Sequence, residues 1–219
     1  MKHVVFLHGL GSHGMTMTFL KKYFDLYYDC KTYSFSYISI TSSLDKITDT
    51  LVCEFNNHFS CMDDVYIIGH SLGGVIARKI SLSSQIKCRI KKIVTLGTPH
   101  NGAILADKIL KQFRVLRNLL PIVNELSYNA NIIRNIPSIT CDIGIISGNK
   151  NRSFWNPLII LGRFFLKDEM VHDGVVGLKE NYLTGVTDFI CLHVDHVNLL
   201  WSTAVAKQCI SFIETSNFK

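Results

Sequence analysis

The chain has 219 residues, of which 47% are hydrophobic and 18% charged. This size and composition argue against disorder and predict a single domain over residues 1–219. The net charge of +6, from 23 basic and 17 acidic residues, is spread along the chain. Such a mild excess fits an anionic lipid surface better than a dedicated nucleic-acid groove. No apolar run has the length of a transmembrane helix or a signal peptide, so a cytoplasmic protein is expected.

The apolar pattern predicts an α/β domain. Six short apolar runs, rich in β-branched and aromatic residues, alternate with segments of helical length and spacing. Strands that are apolar throughout and followed by helices are typical of a doubly wound, mainly parallel sheet covered on both faces. The predicted strands are His3 to Leu7, Lys31 to Tyr37, Val65 to Ile68, Lys92 to Leu96, Asp142 to Ile146 and Phe189 to Val194. The predicted helices are Met15 to Tyr28, Ser43 to Phe59, Leu72 to Ser84 and His196 to Glu214.

Two segments interrupt this alternation. Residues 103–137 contain two helical patterns and no strand, and residues 149–170 are irregular and include the stretch FWNPLIILGRFFLK. Both follow the carboxyl ends of predicted strands, where α/β sheets carry their sites. They are either an ordinary covering helix and a loop, or a helical cap over a pocket. The first pattern predicts an apolar helix face of Ile104, Leu105, Ile109, Phe113, Leu116 and Leu120, opposite a basic face of Lys108, Lys111, Arg114 and Arg117.

The seven cysteines are dispersed, with no CxxC pair and no zinc-ligand spacing. An odd, scattered set favours reduced thiols, most of them acting as small buried hydrophobic residues. We therefore expect no metal site. The cysteines are Cys30, Cys53, Cys61, Cys88, Cys141, Cys191 and Cys209.

The stretch GHSLGG places Ser71 on the turn between a predicted strand and a predicted helix. Gly69 and Gly73 stand where a Cβ would clash as such a turn tightens, so the serine can adopt a strained, exposed conformation. Its hydroxyl then lies over a helix N-terminus, which favours developing negative charge. This is the GxSxG nucleophile elbow in the strand–turn–helix context that the motif requires.

A nucleophilic serine needs a base, and the base needs an acid to orient it. With this elbow the expected chain order is serine, then Asp or Glu, then histidine. The stretch VHDGVVG places Asp173 in a turn, and LHVDHVNLL places His196 at the start of the last predicted helix. Asp168 and Glu169 remain alternatives to Asp173. His193 falls inside a predicted strand, which favours a structural role. Asp195 directly precedes His196 and is expected to be a charge at the N-terminus of the predicted helix. Asp142 opens its predicted strand and so lies at the wrong end of it to join the triad.

Stabilising a tetrahedral oxyanion requires two backbone N–H donors. One is expected from Leu72, directly after the serine, and the other from Leu10 in the glycine-rich turn LHGLGSHG. Glycines at positions 9, 11 and 14 let this backbone approach a substrate closely. The turn departs from GxGxxG and lacks the acidic residue of a dinucleotide site, so a nucleotide cofactor is not expected.

Together, FLHGLG, GHSLGG, VTLGTPHNGA (residues 94–103), DGVV and the late His196 resemble the α/β-hydrolase superfamily, in its lipase and serine-esterase branch. The resemblance covers nearly the whole chain. It implies that the first two strands of the fold are missing, as in the smallest lipases, and that GTPHNG leads into the cap with a largely structural His100. One departure is Gly177, where related sequences often carry proline after DGVV.

The resemblance and the triad together predict a serine hydrolase of carboxylic esters that needs no cofactor. Ser71 would attack, His196 would act as base, and Asp173 would orient it. A thioesterase or a lipid deacylase with the same triad fits the motifs equally. A non-catalytic ligand-binding module with this fold is the competing class. The expected partner is an acyl ester or lipid, with no nucleic acid, and a peripheral contact with an anionic membrane surface is also expected.

Overall fold

The computed structural model describes residues 1–151, 157–167 and 171–219. Within them, six strands form one sheet in the order β2-β1-β3-β4-β5-β6, and every neighbouring pair is parallel. The predicted parallel sheet is therefore confirmed. The strands are β1 (Lys2–Leu7), β2 (Cys30–Phe35), β3 (Asp64–His70), β4 (Arg89–Leu96), β5 (Asp142–Gly148) and β6 (Asp188–Leu192).

Helices connect the strands and cover both faces of the sheet. They are α1 (Thr18–Tyr27), α2 (Leu44–His58), α3 (Leu72–Leu82), α4 (Ile104–Gln112), α5 (Leu116–Leu119), α6 (Pro121–Leu126), α7 (Pro157–Phe165), α8 (Leu178–Asn181) and α9 (Thr203–Thr215). Short 3-10 turns occupy Gly14–Met17, Tyr128–Ala130 and Asn198–Leu200. Of the helices in the described ranges, none is sufficiently long and apolar to span a bilayer.

The strands are apolar throughout because alternate residues enter two separate cores. In β1, Val5 and Leu7 belong to the cluster that packs against α2 and α3, while Val4 and Phe6 belong to the cluster beneath α1 and α9. All four side chains are fully buried. Burial on both faces is the reason that β1 reads as a continuous hydrophobic run.

The C-terminal helix begins later than the sequence pattern predicts. A single helix from His196 to Glu214 is wrong, because α9 starts at Thr203 with its N-cap at Ser202, whose hydroxyl accepts from the Val205 N–H. Residues 193–197 form a loop that leads into a 3-10 turn. His196 is consequently a loop residue, and its orientation depends on tertiary contacts.

The helix predicted over the start of residues 103–137 is broken. The helix α4 ends at Gln112, and Phe113 has φ −126° and ψ 74°, outside helical geometry. The predicted apolar and basic faces therefore do not extend along one helix. In α4 the buried apolar side chains are Leu105, Ala106 and Leu110, and they join the core on the α2–α3 side of the sheet.

Residues 149–170 also contain a helix that the pattern had assigned to irregular chain. The helix α7 packs directly on the loop that follows it in sequence, because a Cβ on Gly162 would overlap the carbonyl oxygen of Gly174. Gly174 has φ +100°, and a Cβ there would meet the buried Ile159. The two glycines allow helix and loop to touch.

Strand order brings loops from distant parts of the chain to one edge. The chain reverses direction across the sheet at β1, since β2 lies on one side of it and β3 on the other. In the register, Leu7 pairs with Gly69, and His70 pairs with Leu96. The segments after β1, β3 and β4 therefore leave the sheet side by side, at the kind of switch point where α/β proteins bind ligands.

Candidate active site

Ser71 occupies a strained turn between β3 and α3. Its φ of 53° and ψ of −119° lie outside the regions that L-residues usually adopt. The Ser71 N–H donates to the Leu96 carbonyl (2.8 Å), and the Ser71 carbonyl accepts from the Gly74 N–H and the Thr98 hydroxyl, each at 3.0 Å. These three bonds hold the backbone at Ser71 in its unusual conformation.

The glycines around Ser71 have the steric role that the sequence predicted. A Cβ on Gly69 would lie 2.5 Å from the Gly73 carbonyl oxygen, and one on Gly73 would lie 2.7 Å from the His8 carbonyl oxygen. Real Cβ atoms do not approach backbone so closely. Only glycine at both positions allows α3 to leave the sheet next to β1.

Asp173 and His196 form a direct pair. Asp173 Oδ2 lies 2.7 Å from His196 Nδ1, and the aspartate is fully buried. Asp173 Oδ1 accepts from the backbone N–H groups of Val175 (2.9 Å) and Val176 (2.8 Å). The His196 N–H donates to the Asp173 carbonyl at 2.9 Å. With Nδ1 donating to the carboxylate, Nε2 is the ring nitrogen of neutral His196 that carries a lone pair.

Two glycines that the sequence analysis overlooked make room for this pair. Gly97 directly follows β4 with φ +55°, and a Cβ there would lie 2.8 Å from Asp173 Oδ2 and 3.0 Å from His196 Nδ1. A Cβ on Gly148, the last residue of β5, would lie 2.9 Å from Asp173 Cβ. A glycine directly after a strand, as at position 97, was the available sequence signal.

The glycine-rich turn after β1 lies beside Ser71. A Cβ on Gly9 would lie 3.2 Å from the Ser71 Cβ. The Gly11 N–H donates to the Ser39 hydroxyl at 2.9 Å, and Gly11 has φ +66°. Leu10 is partly buried against the α2–α3 core, and Leu72 is fully buried as the first residue of α3. The two predicted oxyanion residues thus belong to turns that touch at the elbow.

His8 fixes the path of that turn. Its ring stacks on Tyr37, with centroids 3.9 Å apart and planes at 12°. The Tyr37 hydroxyl donates to the His8 carbonyl, and the Tyr37 N–H donates to His8 Nε2 at 3.3 Å. His8 Nδ1 then carries the proton and donates to the Gly9 carbonyl at 2.9 Å. Burial, with a smaller effect of His13, lowers the pKa of His8, so this ring is neutral.

His70 and His100 are two more buried, neutral histidines. Burial first, and then the neighbouring His196, lower the pKa of His70 to about 3. Burial and Arg78 lower the pKa of His100 well below its usual value. His100 accepts from Arg78 through Nδ1 and donates to the Thr95 hydroxyl through Nε2 (3.0 Å). These contacts give His100 the structural role expected from the resemblance.

Asp142 lies at the amino end of its strand as predicted, whereas Asp195 was predicted at the start of the last helix and lies well before it, since α9 begins at Thr203. Asp195 accepts from the backbone N–H groups of Val197 (3.1 Å) and Asn198 (2.8 Å), so it caps the 3-10 turn. Asp142 opens β5 at its amino end and accepts from the Ser216 hydroxyl. Asp168 and Glu169, the alternatives to Asp173, lie outside the described residues.

His193 lies beyond the end of β6, where it is exposed and contacts Asn149. All seven cysteines fall in the described part of the chain and are free thiols. The described residues contain no group of three or more His, Cys, Asp or Glu side chains arranged to hold a metal ion.

The structure thus brings Asp173 and His196 into contact and connects Ser71 to them through its neighbour. The ring of His70 lies 4.6 Å from the ring of His196, centroid to centroid. His70 is the last residue of β3, and Ser71 follows it. Ser71 and the Asp173–His196 pair therefore lie at the same edge of the sheet.

The family model for the PGAP1-like alpha/beta domain matches residues 15–154, well over half of the chain. The chain belongs to this family. The matched region contains the elbow at Ser71 and ends before Asp173 and His196. No curated protein sequence matches the chain.

Solved structures show the same fold at low sequence identity. The mature lipase BlEst2 of Bacillus licheniformis is 17% identical with a TM-score of 0.76, covering 96% of this chain and 90% of its own. Phospholipase PlaB from Legionella pneumophila is 20% identical with a TM-score of 0.64, covering 83% of this chain and 46% of its own. A metagenomic carboxyl esterase is 13% identical with a TM-score of 0.68, covering 89% of this chain and 64% of its own. The expected α/β-hydrolase fold of the lipase and esterase type is confirmed.

Replacing Gly97 with alanine tests whether this position must leave room for the Asp173–His196 pair. Gly185 is a matched control, because its φ of +79° is similarly unfavourable for alanine but nothing lies within 4 Å of its Cβ position. Gly185→Ala should lower the free energy of unfolding by about 1 kcal/mol through backbone strain. Gly97→Ala should lower it by roughly 3 kcal/mol, because the new methyl group also displaces buried side chains. Urea unfolding at pH 7 measures both; equal losses would show that only the backbone matters at Gly97.

Proposed function

We propose that the protein hydrolyses carboxylic esters through an acyl-enzyme formed on Ser71. The observation that carries this proposal is the strained elbow serine at the same sheet edge as a buried Asp173–His196 pair. The names of the structural relatives, which include lipases, a phospholipase and a carboxyl esterase, support the same reaction class.

In the proposed reaction, the Ser71 hydroxyl attacks the ester carbonyl carbon while His196 Nε2 takes its proton. Collapse of the tetrahedral intermediate expels the alcohol, which receives that proton from His196. Water then attacks the acyl-enzyme by the same route and releases the acid. Asp173 keeps His196 in the tautomer that leaves Nε2 able to accept, and it stabilises the imidazolium that forms. Water is the only co-substrate of these steps.

The oxyanion would be stabilised by the backbone N–H groups of Leu72 and Leu10. Leu72 is the first residue of α3, so its N–H belongs to the positive end of a helix dipole. Leu10 lies in the turn that His8 and Tyr37 hold beside Ser71. Such donors matter because each typically contributes a factor of about a hundred to a thousand in rate.

A thioester or a lipid-linked acyl group would be cleaved by the same steps, so a thioesterase or lipid deacylase is a variant of this proposal. The leaving group, rather than the triad, separates these activities. The competing interpretation is a ligand-binding module in which Ser71 is inert. The close Asp173–His196 contact supports catalysis over binding, since a binder gains nothing from a buried, paired carboxylate.

Replacing Ser71 with alanine should abolish ester hydrolysis and labelling by a fluorophosphonate probe. Only an activated serine reacts with the probe, so labelling separates the enzyme from the binding module. Thermal unfolding should confirm that the variant is folded. Labelling of the Ser71→Ala protein, or turnover of p-nitrophenyl esters at the wild-type rate, would refute the assignment.

Replacing Asp173 with asparagine should lower kcat by roughly four orders of magnitude, because an amide favours the wrong tautomer of His196. Asp195→Asn is the matched control, since it makes the same change in a neighbouring carboxylate that only caps a turn. It should cost less than about tenfold in kcat, with some loss of stability. The opposite ranking would move the acid elsewhere, with Asp168 as the next candidate to test.

A second part of the proposal is peripheral contact with an anionic lipid surface through the segments predicted to form the cap. Residues 111–119 expose Phe113, Val115 and Leu119 among Lys111, Arg114 and Arg117. On α7, Ile160 and Phe164 are exposed, with Lys167 over the Phe164 ring. Apolar side chains interleaved with cations suit the boundary between headgroups and acyl chains.

The contact of Lys108 differs from the sequence prediction. Its ammonium donates to the Phe165 carbonyl, so it ties α4 to α7 instead of joining the exposed basic residues. Because α7 packs against Gly174, next to Asp173, the α7 part of this surface lies close to the candidate site.

Replacing Lys111, Arg114 and Arg117 together with glutamine should weaken binding to phosphatidylserine-containing vesicles. Each basic residue near an anionic surface contributes about 1 kcal/mol. Binding of the wild type to vesicles should weaken as the salt concentration rises. The triple variant should hydrolyse a soluble short-chain ester as fast as the wild type. The control triple, Lys31, Lys87 and Lys91 to glutamine, removes the same charge from exposed positions at the amino edge of the sheet. Vesicle sedimentation measures the binding of both triple variants. An equal loss of binding in the two variants, or no binding of the wild type at low salt, would refute a specific lipid-binding surface.

A further inference from the structure

His70 is the side chain at which the three loops of the candidate site meet. It is 6% exposed and is the last residue of β3. On one side, its Nε2 lies 2.9 Å from the His196 carbonyl oxygen. On the other side, its Nδ1 lies 3.1 Å from the Cβ position of Gly9, in the turn that carries Leu10. Ser71 follows it directly, so one imidazole touches the base loop and the oxyanion turn from within the elbow.

The His196 carbonyl determines the tautomer of His70. A carbonyl oxygen can only accept a hydrogen bond, so His70 Nε2 must carry the proton and donate. The ring is neutral, because burial keeps its pKa far below the ordinary value. A neutral donor is suited to this position, since a second positive charge at 4.6 Å would oppose formation of the His196 imidazolium.

His196 depends on tertiary contacts because no helix holds it. It lies in the loop before the Asn198–Leu200 turn, and its N–H and its ring Nδ1 both bind Asp173. Those two bonds tie His196 to the loop after β5. The bond from His70 ties the carbonyl of His196 to the elbow itself, and thereby sets the base relative to the nucleophile.

We propose that His70 is a positioning residue that holds His196 in register with Ser71 by donating its Nε2–H to the His196 carbonyl. It touches no substrate and acts only through His196. This inference rests on the proposed function, in which His196 is the base. The proposal assigns a specific role to the residue between glycine and serine in GHSLGG. Its side chain must place a neutral hydrogen-bond donor as far from the backbone as the Nε2 of an imidazole.

The test compares two amides that differ in reach. In His70→Gln the side-chain amide can occupy the place of Nε2 and donate to the His196 carbonyl, whereas the shorter side chain of His70→Asn ends near the place of Nδ1. We expect His70→Gln to keep kcat within about fivefold of wild type. We expect His70→Asn to lose roughly a hundredfold in kcat with little change in KM, the cost typical of misplacing a catalytic group by about 1 Å. His193→Gln, at an exposed histidine whose Nδ1 is hydrogen-bonded to Asn149, is the control and should behave as wild type.

A second readout does not require turnover. Proton NMR should show a far-downfield resonance from the His196 Nδ1–H bound to Asp173, assigned by its loss in His196→Gln. The resonance should persist in His70→Gln and broaden or vanish in His70→Asn. If the wild type hydrolyses no ester but the resonance follows this pattern, the positioning role stands and the proposed function fails. If His70→Asn keeps the wild-type kcat and the downfield resonance, His70 does not position His196. The same conclusion follows if both variants are folded but lose kcat and the resonance to the same extent.

Discussion

The site depends on the positive φ of Ser71. Holding a serine at φ 53° costs on the order of 1–3 kcal/mol, and the surrounding hydrogen bonds must offset this strain. The Leu96 carbonyl and the Thr98 hydroxyl do so, and both belong to β4 or the turn after it. Gly69 leaves room for the first turn of α3, and Gly73 allows that helix to lie close to the end of β1. The elbow is consequently a property of three strands together, although its motif GxSxG is only five residues long.

The local parts of this arrangement could be predicted from the sequence. Strands buried on both faces are recognisable as apolar runs, and the elbow has a short signature, so the sheet and Ser71 were both expected. The end of α4 at Gln112 and the late start of α9 were not expected. The helix α4 stops at Phe113 without a glycine or proline, and α9 starts at Thr203 because Ser202 caps it after the 3-10 turn. The start of α9 thus has a local signal in its serine N-cap, whereas the end of α4 has neither a glycine nor a proline to mark it.

The supporting residues were missed for a related reason. His70 and His196 are 126 positions apart, and His8 and Tyr37 are 29 apart. Nothing in the local sequence relates the members of either pair, since their contacts follow from strand order and register. Gly97 is similar, because its importance comes from Asp173 and His196, which reach it from the loops after β5 and β6. A single sequence indicates which residues carry the chemistry more readily than which residues hold them in place.

The burial of three histidines distinguishes them from a fourth, His196, which is the proposed base. The pKa values of His8, His70 and His100 are all lowered, chiefly by burial, and each ring is engaged by fixed neighbours. They stay neutral, so they neither compete for the serine proton nor place a positive charge beside the base. His196 differs because its Nδ1 donates to the buried Asp173 carboxylate, which leaves Nε2 as the ring nitrogen able to accept a proton. The environment of each ring therefore separates the proposed base from the three neutral histidines.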